Sequence, residues 1–117
     1  MHIESFREYC LAKKAVTEGL PFGETVLVFK VAGKMFALAA MDRDPFQVNL
    51  KCDPERAVEL RDEYEDIIPG YHMSKVYWNS VIIGNGRLPN KLLKELIDHS
   101  YDLVVSSLTK KQRELLG

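Results

Sequence analysis

Apolar and polar residues alternate most regularly between positions 46 and 52. A period of two is typical of a β-strand that buries one face and exposes the other. The polar positions of this strand are Gln47, Asn49 and Lys51. We therefore expect these three side chains to share one solvated face of a sheet.

Two further runs, 25–31 and 34–41, are rich in β-branched and aromatic residues and predict two more strands. Only Ala32 and Gly33 separate them. So short a connection that contains glycine predicts a β-hairpin, with Gly33 taking the positive φ that the turn needs.

A later run, 69–80, combines the single tryptophan with tyrosine, histidine and lysine. It predicts two strands, over 71–73 and 76–83, which meet around Ser74 and Lys75. Positions 67–68, just before this run, either end the preceding helix or start a short strand.

Helical spacing of apolar residues predicts four helices. The first is expected over about 3–17. The second begins where Asp53 can cap the helix and Pro54 fits its first turn. Pro89 opens the third and longest helix, and a capping box at Thr109 predicts a short last helix over 110–116.

The order of these elements, α-β-β-β-α-β-β-α-α, predicts an α+β fold. Short consecutive strands joined by turns favour an antiparallel sheet, here of five strands, with the helices on one face in a two-layer α/β sandwich. The 117 residues contain no linker or repeat and are expected to form a single domain, 1–117.

Composition excludes several classes of protein. Sixteen Lys and Arg against seventeen Asp and Glu give a net charge of −1, without the basic excess of a dedicated nucleic-acid-binding protein. This sum still allows a local basic patch, because acidic residues can lie on the opposite face. No apolar run is long enough for a membrane span, and the N-terminus lacks the apolar core of a signal peptide. Cys10 and Cys52 are expected as reduced thiols, so we expect a cytoplasmic protein.

No pattern in the chain predicts catalysis, a metal or a cofactor. The turn at 84–86 contains two glycines but lacks the third glycine of a phosphate-binding loop. Pro89 also removes a backbone N–H that would bind a phosphate. Asp98, His99 and Ser100 are neighbours on a helix, so their side chains diverge by about 100° each. His72 is the one candidate acid or base, although a hydrogen-bonded imidazole beside the sheet is the commoner role.

Basic and aromatic residues on the predicted strands and turns are the better candidates for a binding site. Phosphates require cations, and unpaired bases stack on aromatic rings. Lysines could supply these cations, and the tryptophan and its tyrosine neighbour could supply the aromatic rings. The candidate nucleic-acid-binding residues are Lys30, Lys34, Lys51, His72, Lys75, Tyr77 and Trp78. In the other interpretation, Trp78 packs in the core and the lysines only confer solubility.

Several motifs, in the same order along the chain, resemble those of the MmcQ/YjbR family. They are Tyr9-Cys10-Leu11-Ala12-Lys13, Pro21-Phe22-Gly23, Gly33-Lys34-Met35-Phe36-Ala37, Asn49-Leu50-Lys51-Cys52-Asp53-Pro54, Pro69-Gly70-Tyr71-His72-Met73, Trp78-Asn79-Ser80 and Asp98-His99-Ser100-Tyr101-Asp102. The chain departs from the usual family pattern at Lys14, Ser74 and the turn 85–87.

The resemblance implies a two-layer fold of the kind described as secretion-chaperone-like, in a bacterial cytoplasmic protein. It also implies DNA binding by a double-wing arrangement of hairpins, and it implies no enzymatic activity or cofactor. The positions that match the two wings are Lys30, Gly33 and Lys34, and then His72, Lys75 and Trp78.

From these observations we expect a small, non-catalytic binding protein that binds DNA through basic hairpin tips. The alternative is a protein-interaction or chaperone-like domain that uses an exposed aromatic surface. Neither a metal nor a membrane is expected as a partner.

Overall fold

Six strands form one antiparallel sheet in the structure, a computed structural model that describes residues 1–70 and 73–117. In chain order they are β1 (Val16–Gly19), β2 (Val26–Val31), β3 (Lys34–Ala40), β4 (Gln47–Lys51), β5 (Ile67–Pro69) and β6 (Trp78–Ile82). Side by side they lie in the order β1-β2-β3-β4-β6-β5, and every neighbouring pair is antiparallel.

Four helices accompany the sheet in the described part of the chain: α1 (Ile3–Leu11), α2 (Pro54–Glu63), α3 (Asn90–Ser106) and α4 (Lys110–Glu114). The buried residues of α1, α2 and α3 join the inner strand residues in one core, which contains Phe6, Phe29, Leu60, Leu96 and Ile97. The predicted α+β fold with helices on one face is confirmed, with six strands where five were expected.

The extra strand is β1, whose first two residues were predicted as the end of α1. The helix ends at Leu11, and Ala15 has a φ of 60°. This left-handed residue redirects the chain, so that Val16 pairs with Val31 at the edge of the sheet. Four residues of edge strand are too few to show a strand period in the sequence.

The hairpin of β2 and β3 is confirmed. Ala32 and Gly33 have φ values of 47° and 84°, so both turn residues are left-handed, as a two-residue hairpin of this kind requires. Val31 therefore lies opposite Lys34, and Lys30 lies opposite Met35.

The strand that pairs with β6 lies before the predicted strand 71–73. β5 is Ile67–Pro69, Tyr71 and His72 lie outside the described residues, and Met73 lies in a bend. β6 is also shorter than predicted, because the chain still turns at Val76 and Tyr77. The alternative in which Ile67 and Ile68 start a short strand is the correct one.

The helix caps are where the sequence places them. Asp53 accepts a hydrogen bond from the Arg56 backbone N–H, and Thr109 and Gln112 form the predicted capping box. Each cap satisfies backbone groups that a helix N-terminus otherwise leaves unpaired.

A buried serine fastens the helix layer to the sheet. The Ser100 hydroxyl donates to the Phe36 carbonyl oxygen (2.5 Å) and accepts from the Lys51 N–H (2.9 Å). One side chain of α3 therefore bridges β3 and β4, which fixes how the helix lies across the strands.

Strand residues alternate between the helices and the opposite side of the sheet. We call that opposite side the helix-free face. On the central strands it consists of Val26, Val28, Lys30, Met35, Leu38, Ala40, Gln47, Asn49, Lys51, Trp78, Ser80 and Ile82.

Candidate binding surface on the helix-free face

Trp78 lies on the helix-free face, where it contributes to a second, smaller apolar cluster. It is 8% exposed and packs with Val28 and Leu38, and Met35 and Met73 lie at the border of the cluster. The interpretation that places Trp78 among packed residues is therefore correct. Trp78 forms part of the floor of this face rather than a projecting ring.

Asn49 was predicted as solvated, and this prediction is wrong. Its side chain is 8% exposed, and its Oδ1 accepts a hydrogen bond of 2.6 Å from the hydroxyl of Ser80, which is fully buried. Ser80 lies opposite Asn49 in the β4–β6 ladder, so the two polar groups satisfy each other across the strands. This pairing fixes the orientation of the Asn49 amide.

Lys30 and Lys51 share the helix-free face, and both are half-buried. One strand, β3, separates them, which corresponds to about 10 Å, or two inter-strand spacings. Among residues 1–70 and 73–117 neither has an ion-pair partner. Two cations without counter-charges therefore lie beside the apolar cluster.

Lys34 and Lys75 do not join them. Lys34 shares the side of Val31, toward the helices, and its Nζ lies 3.5 Å from the carbonyl oxygen of Ser107. Lys75 is exposed in the turn before β6, and its carbonyl oxygen accepts from Arg61 of α2. The candidate cations thus divide into one pair on the sheet and two separate residues.

Tyr77 and its neighbour Val76, both in the predicted aromatic run, are exposed, at 50% and 55%. Both precede β6, in the turn that also holds Lys75. His72 lies outside the described residues, so its predicted role stays a prediction.

A hollow of about 520 Å³ opens on the helix-free face, and Leu38 and Met73 belong both to its lining and to the cluster around Trp78. Its floor is formed by Val26, Leu38 and Ala40, and Phe22 and Met73 line it from two loops. Asp42, Arg43, Gln47 and Asn49 supply its polar groups. Phe22 and Met73 were not among the residues predicted from the sequence. The signal for Phe22 was its position between Pro21 and Gly23, since an aromatic residue in such a loop is unusual.

A group of acidic side chains lies on the opposite side of the sheet. Glu55, Glu59, Asp62 and Glu63 are all exposed on α2, which packs in the helix layer. Although the net charge is −1, the two sides of the sheet carry different charged groups: the acids of α2 lie on one side, and Lys30 and Lys51, with Asp42 at the hollow, on the other.

Asp98, His99 and Ser100 have separate partners, as their helical spacing predicts. Asp98 binds Tyr9 and Lys13, whereas His99 Nε2 accepts from the Asp53 N–H at 3.1 Å. Burial, and then the positive charge of Arg56, lowers the pKa of His99. Burial raises the pKa of Cys10 to about 12, so this thiol is protonated and inert at neutral pH.

Neither metal-binding groups nor membrane-spanning helices were found in the described ranges. Residues 1–70 and 73–117 bring no three His, Cys, Asp or Glu side chains together in a way that could hold an ion. Within the same residues, no helix is both long and apolar enough to cross a bilayer.

Comparisons with known proteins place the chain among relatives of similar size. The model of the YjbR family matches residues 11–103. The uncharacterized protein YjbR of Escherichia coli K12 is 31% identical over 116 residues, which cover 99% of this chain and 98% of that protein. The uncharacterized protein YbdF of Escherichia coli O157:H7 is 40% identical over 94 residues, which cover 80% and 76% of the two chains.

Two crystal structures share the fold. The Deinococcus radiodurans protein DR2400, described with the domain DUF419, is 38% identical and superposes with a TM-score of 0.89 over 98% of this chain and 87% of its own. A Pseudomonas syringae protein is 28% identical, with a TM-score of 0.76 over 88% of this chain and 98% of its own. Both similarities extend over most of the sheet and the helices.

Proposed function

This chain belongs to the YjbR family, and from that premise we propose that it is a non-catalytic binding protein that binds DNA on the helix-free face of its sheet. The observation that carries the proposal is the pair Lys30 and Lys51, two cations without ion-pair partners among the described residues, on a face with an apolar floor.

Electrostatics favour this face over the rest of the surface. Phosphate groups are attracted to unpaired lysines, and most of the affinity of proteins for DNA comes from such contacts. The acids of α2 repel phosphates from the helix side. Bound DNA would therefore approach the sheet from the side opposite the helices.

The geometry modifies the expected double-wing mode. Lys30 and Lys34 flank one hairpin tip but lie on opposite sides of the sheet, and Lys75 belongs to a separate turn. In our proposal Lys30 and Lys51 make the main phosphate contacts. Lys75 contributes less, because it lies in a separate turn.

The test is a fluorescence-anisotropy titration with labelled single-stranded and duplex oligonucleotides at ~50 mM salt and above. The double variant Lys30→Gln/Lys51→Gln should bind several-fold more weakly. Its log–log salt slope should fall by about 1.4 for a single strand, because each lost phosphate contact removes about 0.7.

The matched control is Lys91→Gln/Lys110→Gln, which removes two exposed lysines from α3 and α4 and gives the same net charge. It should bind like the wild type. Absence of binding at ~50 mM salt, or an affinity that does not depend on salt, would refute the proposal.

The second candidate function is docking of another protein through Val76 and Tyr77. Their exposure, 55% and 50%, favours it because exposed apolar neighbours often mark interaction sites. The buried state of Trp78 limits this surface to the turn. Two results together would favour this function. A protein partner should bind the wild type equally well with and without DNA, and it should fail to bind the variant Val76→Ser/Tyr77→Ser.

We place the protein in the bacterial cytoplasm. Cys10 and Cys52 are both free and buried, as suits a reducing compartment, and the relatives named above are bacterial proteins. Fractionation of the producing cell would test the location.

A further inference from the structure

We propose that the hollow on the helix-free face holds one unpaired nucleobase, so that the preferred ligand is single-stranded DNA rather than a duplex. This inference rests on the proposed function, because it names the form of nucleic acid that the same face binds. Its basis is the combination of an apolar floor, an exposed aromatic ring and two side-chain amides, one of them oriented by Ser80, in one concavity.

The hollow has the size and lining of a site for an organic ligand. Its volume of about 520 Å³ lies within the usual range for such pockets, roughly 300–1,000 Å³. Val26, Leu38 and Ala40 provide an apolar floor formed by two paired strands. A floor of this kind suits a planar ring.

Phe22 provides a partner for stacking. It lies in the loop between β1 and β2, is 62% exposed and lines the hollow. An aromatic ring that stays this exposed in the free protein contributes little to the core, so its contact area remains for a ligand. Bases of any sequence stack on such rings.

The polar groups of the hollow suit the edge of a base. Asn49 is oriented by Ser80, which binds its Oδ1, so its amide nitrogen is the donor that remains for a ligand. Gln47 lies two residues away on β4 and lines the same hollow, and Asp42 adds an acceptor. Side-chain amides recognise nucleobase edges because both carry donors and acceptors in one plane.

A phosphate contact lies at a suitable distance from this base site. Lys51 follows Asn49 by two residues on the same face of β4, about 7 Å along the strand. A base in the hollow would therefore place its backbone near the Lys51 ammonium group. A duplex cannot use the site, because pairing occupies the base edges and stacking covers the rings.

The experiment compares four ligands by fluorescence anisotropy or by competition: a single strand of about 10 nucleotides, the same strand with abasic sites, the corresponding duplex and free nucleoside monophosphates. The single strand should bind at least about 5-fold more tightly than the abasic strand and the duplex, since stacking of one base accounts for such a difference.

Phe22→Ala tests the site itself, and because Phe22 is 62% exposed the change should leave the fold intact. This variant should lower the affinity for the normal strand to that for the abasic strand and leave the abasic affinity unchanged. Leu115→Ala truncates a similarly exposed apolar residue, the C-cap of α4, which does not line the hollow, and it should change neither affinity.

Each other result overturns the inference in a recognisable way. If abasic strand, duplex and normal strand bind equally and with salt dependence, the base site is refuted while DNA binding stands. If free nucleotides bind as tightly as the strand, the hollow serves a small molecule. If no nucleic acid binds, the proposed function fails together with the base site.

Discussion

Gly84 is the residue at which a single added carbon should matter most for the sheet. A Cβ there would lie 2.4 Å from the Phe46 backbone nitrogen, much closer than any non-bonded contact allows. Phe46 cannot move away easily, because its carbonyl oxygen accepts from both Ile83 and Gly84 at 2.8 Å. The sequence indicates only a turn at this position, since the approach of another segment is a tertiary fact.

We therefore expect Gly84→Ala to lower the free energy of unfolding by about 1–3 kcal/mol, the usual cost of a steric overlap that the structure must absorb. Chemical denaturation measures this change. Gly19→Ala is the control, because a Cβ at Gly19 meets its nearest atom at 4.0 Å in an ordinary backbone conformation. Equal stability losses in the two variants would show that the close approach does not exist.

At the scale of elements, His99 joins the start of α2 to α3. Its Nε2 can accept the Asp53 N–H only while the imidazole is neutral. The same burial that lowers the pKa of His99 makes the neutral form the favoured one in the folded protein. The link between the two helices is therefore sensitive to mild acid.

The sign of the pH effect follows from this lowered pKa. The contribution of His99 to stability is fully present above its unfolded pKa of about 6.5 and is lost as the pH falls from there through the folded pKa. Thermal unfolding between pH 7.5 and 5.5 should show a decrease in stability that is smaller in His99→Gln, whose amide oxygen can accept the same bond at any pH. An unchanged decrease in that variant would contradict the link.

Local signals in the sequence were sufficient to predict the elements that begin or end at strong caps and turns. Asp53 with Pro54, the Thr109 capping box and Ala32-Gly33 all act through neighbours in the chain, so they could be recognised without tertiary structure. β1 could not be recognised in this way, because its pairing with β2 depends on the left-handed conformation of Ala15.

The register of the strands determines on which face of the sheet each candidate residue lies. A two-residue hairpin turn places Lys34 opposite Val31 and not opposite Lys30, so the two lysines must lie on different sides. This much could be deduced from the sequence. The burial of Asn49 could not, because it depends on Ser80 in a strand 31 residues away.

For the whole molecule, the arrangement of charge matters more than its sum. A net charge of −1 argues against nucleic-acid binding only if the charges are evenly spread. Here α2 carries exposed acids in the helix layer, while Lys30 and Lys51 lie on the helix-free face. The two-layer fold produces this separation, because it leaves one face of the sheet without helices.

The most direct measurement of this account is an NMR titration of the isotope-labelled protein with a short single strand of DNA. Amide shifts should change mainly on the helix-free face and its rim, at Phe22, Lys30, Leu38, Asn49 and Lys51, and those of α2 and of the outer side of α3 should stay unchanged. Shift changes confined to the helix layer, or none at DNA concentrations far above that of the protein, would contradict it.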